Sequence, residues 1–167
     1  LTRAACFGSL AQRSPVSHRT IGRFLETMPD GEGQYKVFDI NLRQHFYTQQ
    51  VVEESLRKCN ILKINDEELA VVGSMFGLEG MQPGEQCRTL LDRYGLRIVI
   101  LTCGAAGSSV FAPDTRSYIP TPRVEVADTV GAGDSFTASF LAALLSGLGI
   151  GEAHRLAVDV AAHVCSQ

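Results

Sequence analysis

The chain contains no tryptophan, only five scattered cysteines, and no large excess of either charge. Cys6, Cys59, Cys87, Cys103 and Cys165 are odd in number and form no C-x-x-C pair. That argues against a disulfide framework or a zinc knuckle and points to a reducing cytoplasm. Fifteen Lys and Arg stand against 18 Asp and Glu, a net charge of −3, so there is no basic footprint for nucleic acid or for an acidic membrane surface. No apolar run approaches the ~20 residues that span a bilayer. His18, His45, His154 and His163 show no metal-ligand spacing,. Repeats, low-complexity segments and dividing linkers are also absent. What is present is 167 residues, 45% hydrophobic and 20% charged, which fits one domain able to bury a sizeable core.

The amino end, Ala4-Ala5-Cys6-Phe7, runs straight into Gly8-Ser9, as a strand already inside a sheet would, so the chain reads as part of a longer one. Ser14-Pro15 marks a helix start. Ile21, Phe24, Leu25 and Met28 recur at helical spacing as its apolar face,. Tyr35 to Asn41 reads as a strand, the segment around Val51 to Leu56 as a helix, and Ile61 to Ile64 as a buried strand ending at Asn65. Asp66-Glu67-Glu68 places acid in the first turn of the next helix, where it complements the dipole. A further helix is predicted from Pro83 to Tyr94, closed near Gly95. Leu96 to Thr102 is a β-branched strand of the kind buried in parallel sheets. Gly104 and Gly107 break it, and 109–111 with 117–119 form a hairpin around Asp114. Two apolar helices end the chain, one opening at 129–134 and running through Leu145, the other from about Glu152 to Val164. Phe136, Phe140, Leu141 and Leu144 read as core, and the cysteines as small buried hydrophobes.

Strands alternating with helices predict an α/β domain with a mostly parallel sheet. Ligands in such sheets lie beyond the carboxyl ends of the strands. Asn41, Asn65, Thr102 and the Gly131 turn should therefore converge on one edge.

The strongest local signal is Asp128-Thr129-Val130-Gly131-Ala132-Gly133-Asp134. Its glycines allow a tight turn and close backbone approach to a ligand. The helix that begins there aims unpaired N–H groups at the turn, which favours an anion. A carboxylate in that first turn, Asp134, can accept a proton from an attacking hydroxyl while the amides absorb charge on a transferring phosphoryl group. The plainer reading is a helix start in which Asp134 complements the dipole.

These residues resemble the D-T-x-G-A-G-D signature of the ribokinase-like, or PfkB, carbohydrate kinases. Three further segments match in order: Asp39-Ile40-Asn41-Leu42-Arg43 the D-x-N-x-R strand end, Asn65-Asp66-Glu67-Glu68 the N-x-x-E motif, and Thr102 to Gly107 the T-x-G-x-x-G turn. Phe7 to Arg13 is similar to the fructokinase-like branch. The resemblance implies a three-layer α/β/α fold in which residues 1–167 are the carboxyl-terminal, nucleotide-binding and catalytic portion of one kinase domain, without the amino-terminal part and its lid.

It implies ATP-dependent phosphorylation of a sugar hydroxyl, fructose or a related small carbohydrate, in the cytoplasm. Asp134 would be the base and Gly131, Ala132 and Gly133 the anion hole. Asn65 and Glu68 would organise phosphate and Mg²⁺, Glu68 through water, so Glu68→Gln should leave stability nearly unchanged. Thr102, Gly104 and Gly107 would line the nucleotide site, and Asn41 and Arg43 would contact substrate or phosphate. Asp128 and Val130 would hold a monovalent cation such as K⁺. The partners implied are the sugar and ATP, neither nucleic acid nor membrane, and a second full-length copy through the lid. Asn65 reads equally well as a plain helix N-cap, Arg43 as a solvated strand-end residue, and Asp128 as a loop Asp bonding its own backbone. Other acceptors (ribose, a keto-deoxy sugar acid, a nucleoside) remain open, as does a non-catalytic nucleotide- or sugar-binding module, against which Asp134 argues. A Rossmann dehydrogenase needs G-x-G-x-x-G after an early strand, and Gly131-x-Gly133 is late and lacks the third glycine.

Overall fold

Six strands lie side by side in chain order: β1 (Ala4–Phe7), β2 (Tyr35–Asp39), β3 (Ile61–Asn65), β4 (Ile98–Thr102), β5 (Ser108–Ala112) and β6 (Thr115–Ile119). The first four are parallel, and β5 and β6 close the sheet as an antiparallel hairpin. The computed structural model describes residues 2–123 and 129–167. Between the strands run α1 (Pro15–Thr27), α2 (Gln49–Lys58), α3 (Asp66–Met75) and α4 (Pro83–Tyr94); α5 (Ala132–Leu145) and α6 (Ile150–Cys165) follow the hairpin. Among the described residues no helix is long and apolar enough to cross a membrane.

Side-chain alternation along the strands sorts the core into two layers. Phe38, Leu62, Val99 and Leu101 face Leu25 of α1, Val52 and Leu56 of α2, Val72 of α3 and Leu90 of α4. Their neighbours Val37, Ile61, Ile98 and Val110 face Phe136, Phe140 and Ala143 of α5 and Ala157 of α6. The result is the predicted three-layer α/β/α arrangement. Because both sheet faces are covered, the central strands read as unbroken apolar runs.

Most element boundaries follow their local signals. Thr48 caps α2 by accepting from the Val51 amide at 3.2 Å. Gly95, at φ 61°, ends α4, and the Leu96 amide then donates back to the Leu91 carbonyl at 2.9 Å. That bond keeps Leu96 out of β4. β2 stops at Asp39 rather than Asn41, because Asn41 takes the left-handed conformation, φ 43°. On α1, Leu25 and Met28 are buried but Phe24 is exposed; positions 21, 25 and 28 form one stripe, and 24 lies to its side. The cysteines divide. Cys59 and Cys87 are buried as expected, with thiols pushed up to about 12 by burial, whereas Cys6 is exposed.

His154 carries more than the sequence suggested. It is wholly buried where α6 crosses the β5–β6 hairpin, with Nε2 2.8 Å from Ser108 Oγ and Nδ1 2.8 Å from Ser117 Oγ. Burial, and secondarily the Arg155 charge, pull it down from 6.5 to about 4. The unfolded chain thus binds the extra proton between pH 6.5 and about 4, and the native state does not,. Stability contributed by neutral His154 should be full above pH 6.5 and fall as pH drops towards 4, by on the order of 2–3 kcal/mol. Urea unfolding from pH 7 to pH 4 checks this: His154→Gln should flatten that part of the profile relative to wild type.

Candidate active site

The carboxyl ends of β1 to β4 lie along one edge, and the start of α5 is brought to it from the opposite layer. Gly131, at φ 83°, is the N-cap of α5, a conformation that favours glycine. The Ala132 amide donates to Thr129 at 3.2 Å and the Ser135 amide to Gly131 at 2.8 Å. Asp134 follows in the first turn, exposed to solvent. The start of α5 is tied to the sheet through Asp39. Thr137 donates to Asp39 Oδ2 at 2.8 Å, Lys63 pairs with Asp39 Oδ1 at 3.1 Å, and a Cβ on Gly133 would stand 3.1 Å from Lys63 Nζ. Cys6 at the end of β1 belongs to the same neighbourhood. Although the residue is exposed, its thiol is pushed up to about 11, first by desolvation and then by the Asp39 carboxylate, with Asp134 adding to the effect.

The second element is a clamp built on Glu68. Asn65 Oδ1 accepts from the Glu68 amide at 2.8 Å while Glu68 Oε2 accepts from the Asn65 amide at 3.0 Å, a reciprocal capping box at the start of α3,. The other oxygen, Oε1, accepts from the Leu42 amide at 3.0 Å. Glu68 thereby ties the Asn41-Leu42 loop to the end of β3, and Ser9 holds the same loop by donating to the Asn41 carbonyl at 3.0 Å. Asn41 and Asn65 are brought to one edge with the α5 turn nearby. Arg43 lies further out on this loop, exposed, and its carbonyl accepts from the Phe46 amide.

Glu68 is therefore a structural residue whatever else it does. Both carboxylate oxygens already accept backbone N–H bonds and the side chain is buried, so it fits Mg²⁺ through an intervening water, using its remaining lone pairs, better than as a direct ligand. Among the described residues no group of three His, Cys, Asp or Glu side chains is placed to hold a metal ion.

The third element is the turn after β4. Thr102 lies opposite Asn65 on β3 and Ser108 on β5. Gly104 opens a short 3-10 turn, with its carbonyl accepting from the Thr121 hydroxyl, and the Ala106 carbonyl accepts from the Tyr118 hydroxyl at 2.8 Å. At Gly107, φ 113°, an added Cβ would come within 2.6 Å of the Ile119 carbonyl oxygen. This glycine is required by packing against β6, independently of any ligand. Val130 is exposed beside the α5 turn; Asp128 lies outside the described residues, so the cation pair predicted for these two stays a sequence expectation.

Neither Lys63 nor the carboxylate of Asp39 stands out in the sequence as a site residue in its own right. The available signal was their phase. In β2 and β3 they follow Val37 and Ile61 by two residues, which places a charge on each strand's α5-facing side.

A model described as pfkB family carbohydrate kinase matches residues 20–167. The chain is 34% identical over 130 residues to a fructokinase of Rhizobium leguminosarum bv. trifolii, covering 74% of this chain and 38% of that protein. It is 30% identical over 114 residues to an aminoimidazole riboside kinase of Salmonella typhimurium, covering 65% of this chain and 34% of that one. It thus spans well under half the length of these curated relatives. Among solved structures, fructokinase from Vibrio cholerae O395 with fructose, ADP and calcium ion bound superposes with TM-score 0.82 at 23% identity, covering 98% of this chain and 55% of the other. Aminoimidazole riboside kinase from Salmonella enterica, complexed with aminoimidazole riboside and an ATP analogue, gives TM-score 0.81 at 23% identity, covering 100% and 59%. These likenesses establish the ribokinase-like fold.

The clamp predicts a stability effect that differs from the sequence expectation. Glu68→Ala should destabilise the protein by about 1–3 kcal/mol, because the Leu42 and Asn65 amides lose their acceptor. Glu68→Gln, which keeps one carbonyl oxygen, should lose less. Thermal or urea unfolding of the two variants measures both.

Proposed function

The chain belongs to the pfkB family of carbohydrate kinases, and on that premise we propose that the protein carrying it transfers the terminal phosphoryl group of ATP to a hydroxyl of a small sugar. Residues 1–167 are read as the carboxyl-terminal, nucleotide-binding and catalytic portion of one such domain. The observation that carries the reading is the placement of Asp134. It is exposed in the first turn of α5, next to the Gly131–Gly133 amides, on the edge where the Asn41 loop and Asn65 also end.

In this reading the acceptor hydroxyl donates its proton to the Asp134 carboxylate as its oxygen forms a bond to the γ-phosphorus. The bond from that phosphorus to the bridging oxygen breaks, and ADP leaves with the electron pair. The amides at the start of α5 stabilise charge on the transferring group. The Thr102–Gly107 turn supports the nucleotide. Asn65 and Glu68 hold the α3 end against the phosphates; a divalent cation bound with ATP would neutralise phosphate charge, reached from Glu68 through water. A monovalent cation near Asp128 and Val130 completes the proposal.

Fructose is the first acceptor to test, supported by the similarity to fructokinases. Likeness to an aminoimidazole riboside kinase and to ribokinases keeps ribosides and ribose in the same panel. The full-length protein should be assayed with hexoses, ribose, nucleosides and keto-deoxy sugar acids. Turnover on nucleosides alone would replace fructose as the acceptor, and absence of transfer to any acceptor would overturn the kinase reading.

Asp134→Asn tests the base. Size and hydrogen bonding are kept while the proton acceptor is removed, so kcat should fall by ~10²–10⁴-fold with nucleotide binding preserved or tightened. Near-wild-type turnover would remove Asp134 from the chemistry.

A further inference from the structure

His154 takes no part in the proposed phosphoryl transfer, yet it stands between the two elements that the reaction has to keep aligned. Its ring is wholly buried. Nε2 lies 2.8 Å from Ser108 Oγ and Nδ1 2.8 Å from Ser117 Oγ. The same ring meets Phe136 edge to face, with 6.0 Å between centroids. Ser108 follows Gly107 directly, at the exit of the Thr102–Gly107 turn, and pairs with Thr102 across β4 and β5. Phe136 lies two residues beyond Asp134 on α5. One side chain of α6 therefore touches the strand that leaves the proposed nucleotide turn and the helix that carries the proposed base.

The contacts also brace the hairpin. Ser108 stands opposite Ile119 and Ser117 opposite Val110, so the two serines are diagonal neighbours on the α6-facing side. A neutral imidazole donates at one nitrogen and accepts at the other. With a hydroxyl at each nitrogen the ring links β5 to β6 as a rigid diagonal, and sliding of either strand breaks a bond. Burial, which pulls the ring down to about 4, keeps it in this form at neutral pH. The turn depends on that register from both strands. Within itself it is closed by the Cys103 amide on the Gly107 carbonyl at 2.8 Å. From outside, the Tyr118 hydroxyl of β6, next to Ser117, holds the Ala106 carbonyl at 2.8 Å.

We infer that His154 is a positioning residue: acting through Ser108 and Ser117, it fixes the Thr102–Gly107 turn relative to the first turn of α5, and so the nucleotide relative to Asp134. This rests on the kinase reading and deepens it.

The test compares three variants of the full-length protein. His154→Leu keeps the bulk and removes both hydrogen bonds. His154→Gln carries an amide that reaches the place of Nε2 and restores a bond to Ser108. Asn60→Ala is the control for lost stability. Asn60 accepts from the Lys36 amide at 2.9 Å and donates to the Gln34 carbonyl at 3.1 Å, so this variant also loses two bonds, at the opposite end of the strands. His154→Leu should weaken ADP binding about tenfold in calorimetric titration and lower kcat about tenfold, with the acceptor KM within about twofold of wild type. His154→Gln should recover most of both losses, and Asn60→Ala should show neither. Unchanged ADP affinity and kcat in His154→Leu, equal losses in Asn60→Ala, or no recovery in His154→Gln would overturn the inference and leave His154 a purely structural residue. Should His154→Leu not fold, Ser108→Ala removes the bond nearest the turn and is expected to weaken ADP binding about threefold; wild-type affinity there would overturn the inference. A wild-type protein that binds no nucleotide would overturn the kinase reading together with this inference, whereas wild-type kinase activity carried unchanged into His154→Leu overturns this inference alone.

Discussion

Parallel strands laid down side by side in chain order force their crossovers onto one face of the sheet, because each β–helix–β connection takes the same hand. Here α1, α2 and the α3–α4 pair all land on the Phe38–Leu62–Val99 side. The opposite face must be covered by something that is not a crossover between those strands, and the last two helices do it. To reach that face the chain turns back through the antiparallel β5–β6 hairpin, and α5 then begins at the edge where the parallel strands end. The convergence of a helix start with the β2, β3 and β4 ends thus follows from topology.

Topology alone would leave the turn at the start of α5 loosely placed. The Asp39 carboxylate, nearly inaccessible between sheet and helix, makes the placement specific. It needs acceptable partners in a region where an unpaired charge is costly, and it finds one on β3 and one on α5. Any displacement of α5 along the sheet would break a bond to that carboxylate. On the opposite layer Glu68 does the equivalent for the Asn41 loop, binding amides from two different connections. Two buried carboxylates therefore set the geometry of an edge whose candidate base, Asp134, is itself left free in solvent.

The elements and the motif-bearing residues were legible because their signals are local: capping residues, helical or alternating periodicity, glycines at turns. Asn65 fits a cap and a site residue equally well in sequence, and its bonds make it a cap that also stands at the candidate edge. What escaped was set by contacts between distant residues. Thr137 and Asp39 are 98 positions apart, and Ser108 and His154 are 46 apart; no window of sequence reports that such groups meet. The same limit applies to glycines. A turn glycine at 107 is easily predicted, yet its reason, a carbonyl of β6 at 2.6 Å from a would-be Cβ, belongs to tertiary packing.

The composition of the edge also bears on how one scaffold could serve kinases with different acceptors. The groups this edge presents to solvent are backbone amides, the Asp134 carboxylate and small polar side chains, and on the kinase reading these would meet a phosphoryl group and a generic hydroxyl. The two grooves of about 910 and 580 Å³ found among the described residues, against α4 and against α6, are lined by none of the candidate residues. Efficient transfer from an exposed base also requires water to be displaced from the reacting groups. On the kinase reading, acceptor choice and enclosure therefore fall to surface that covers this edge, while the edge supplies the chemistry. Such a division of labour accounts for the same chain matching both a fructokinase and an aminoimidazole riboside kinase: phosphoryl transfer is what those activities have in common.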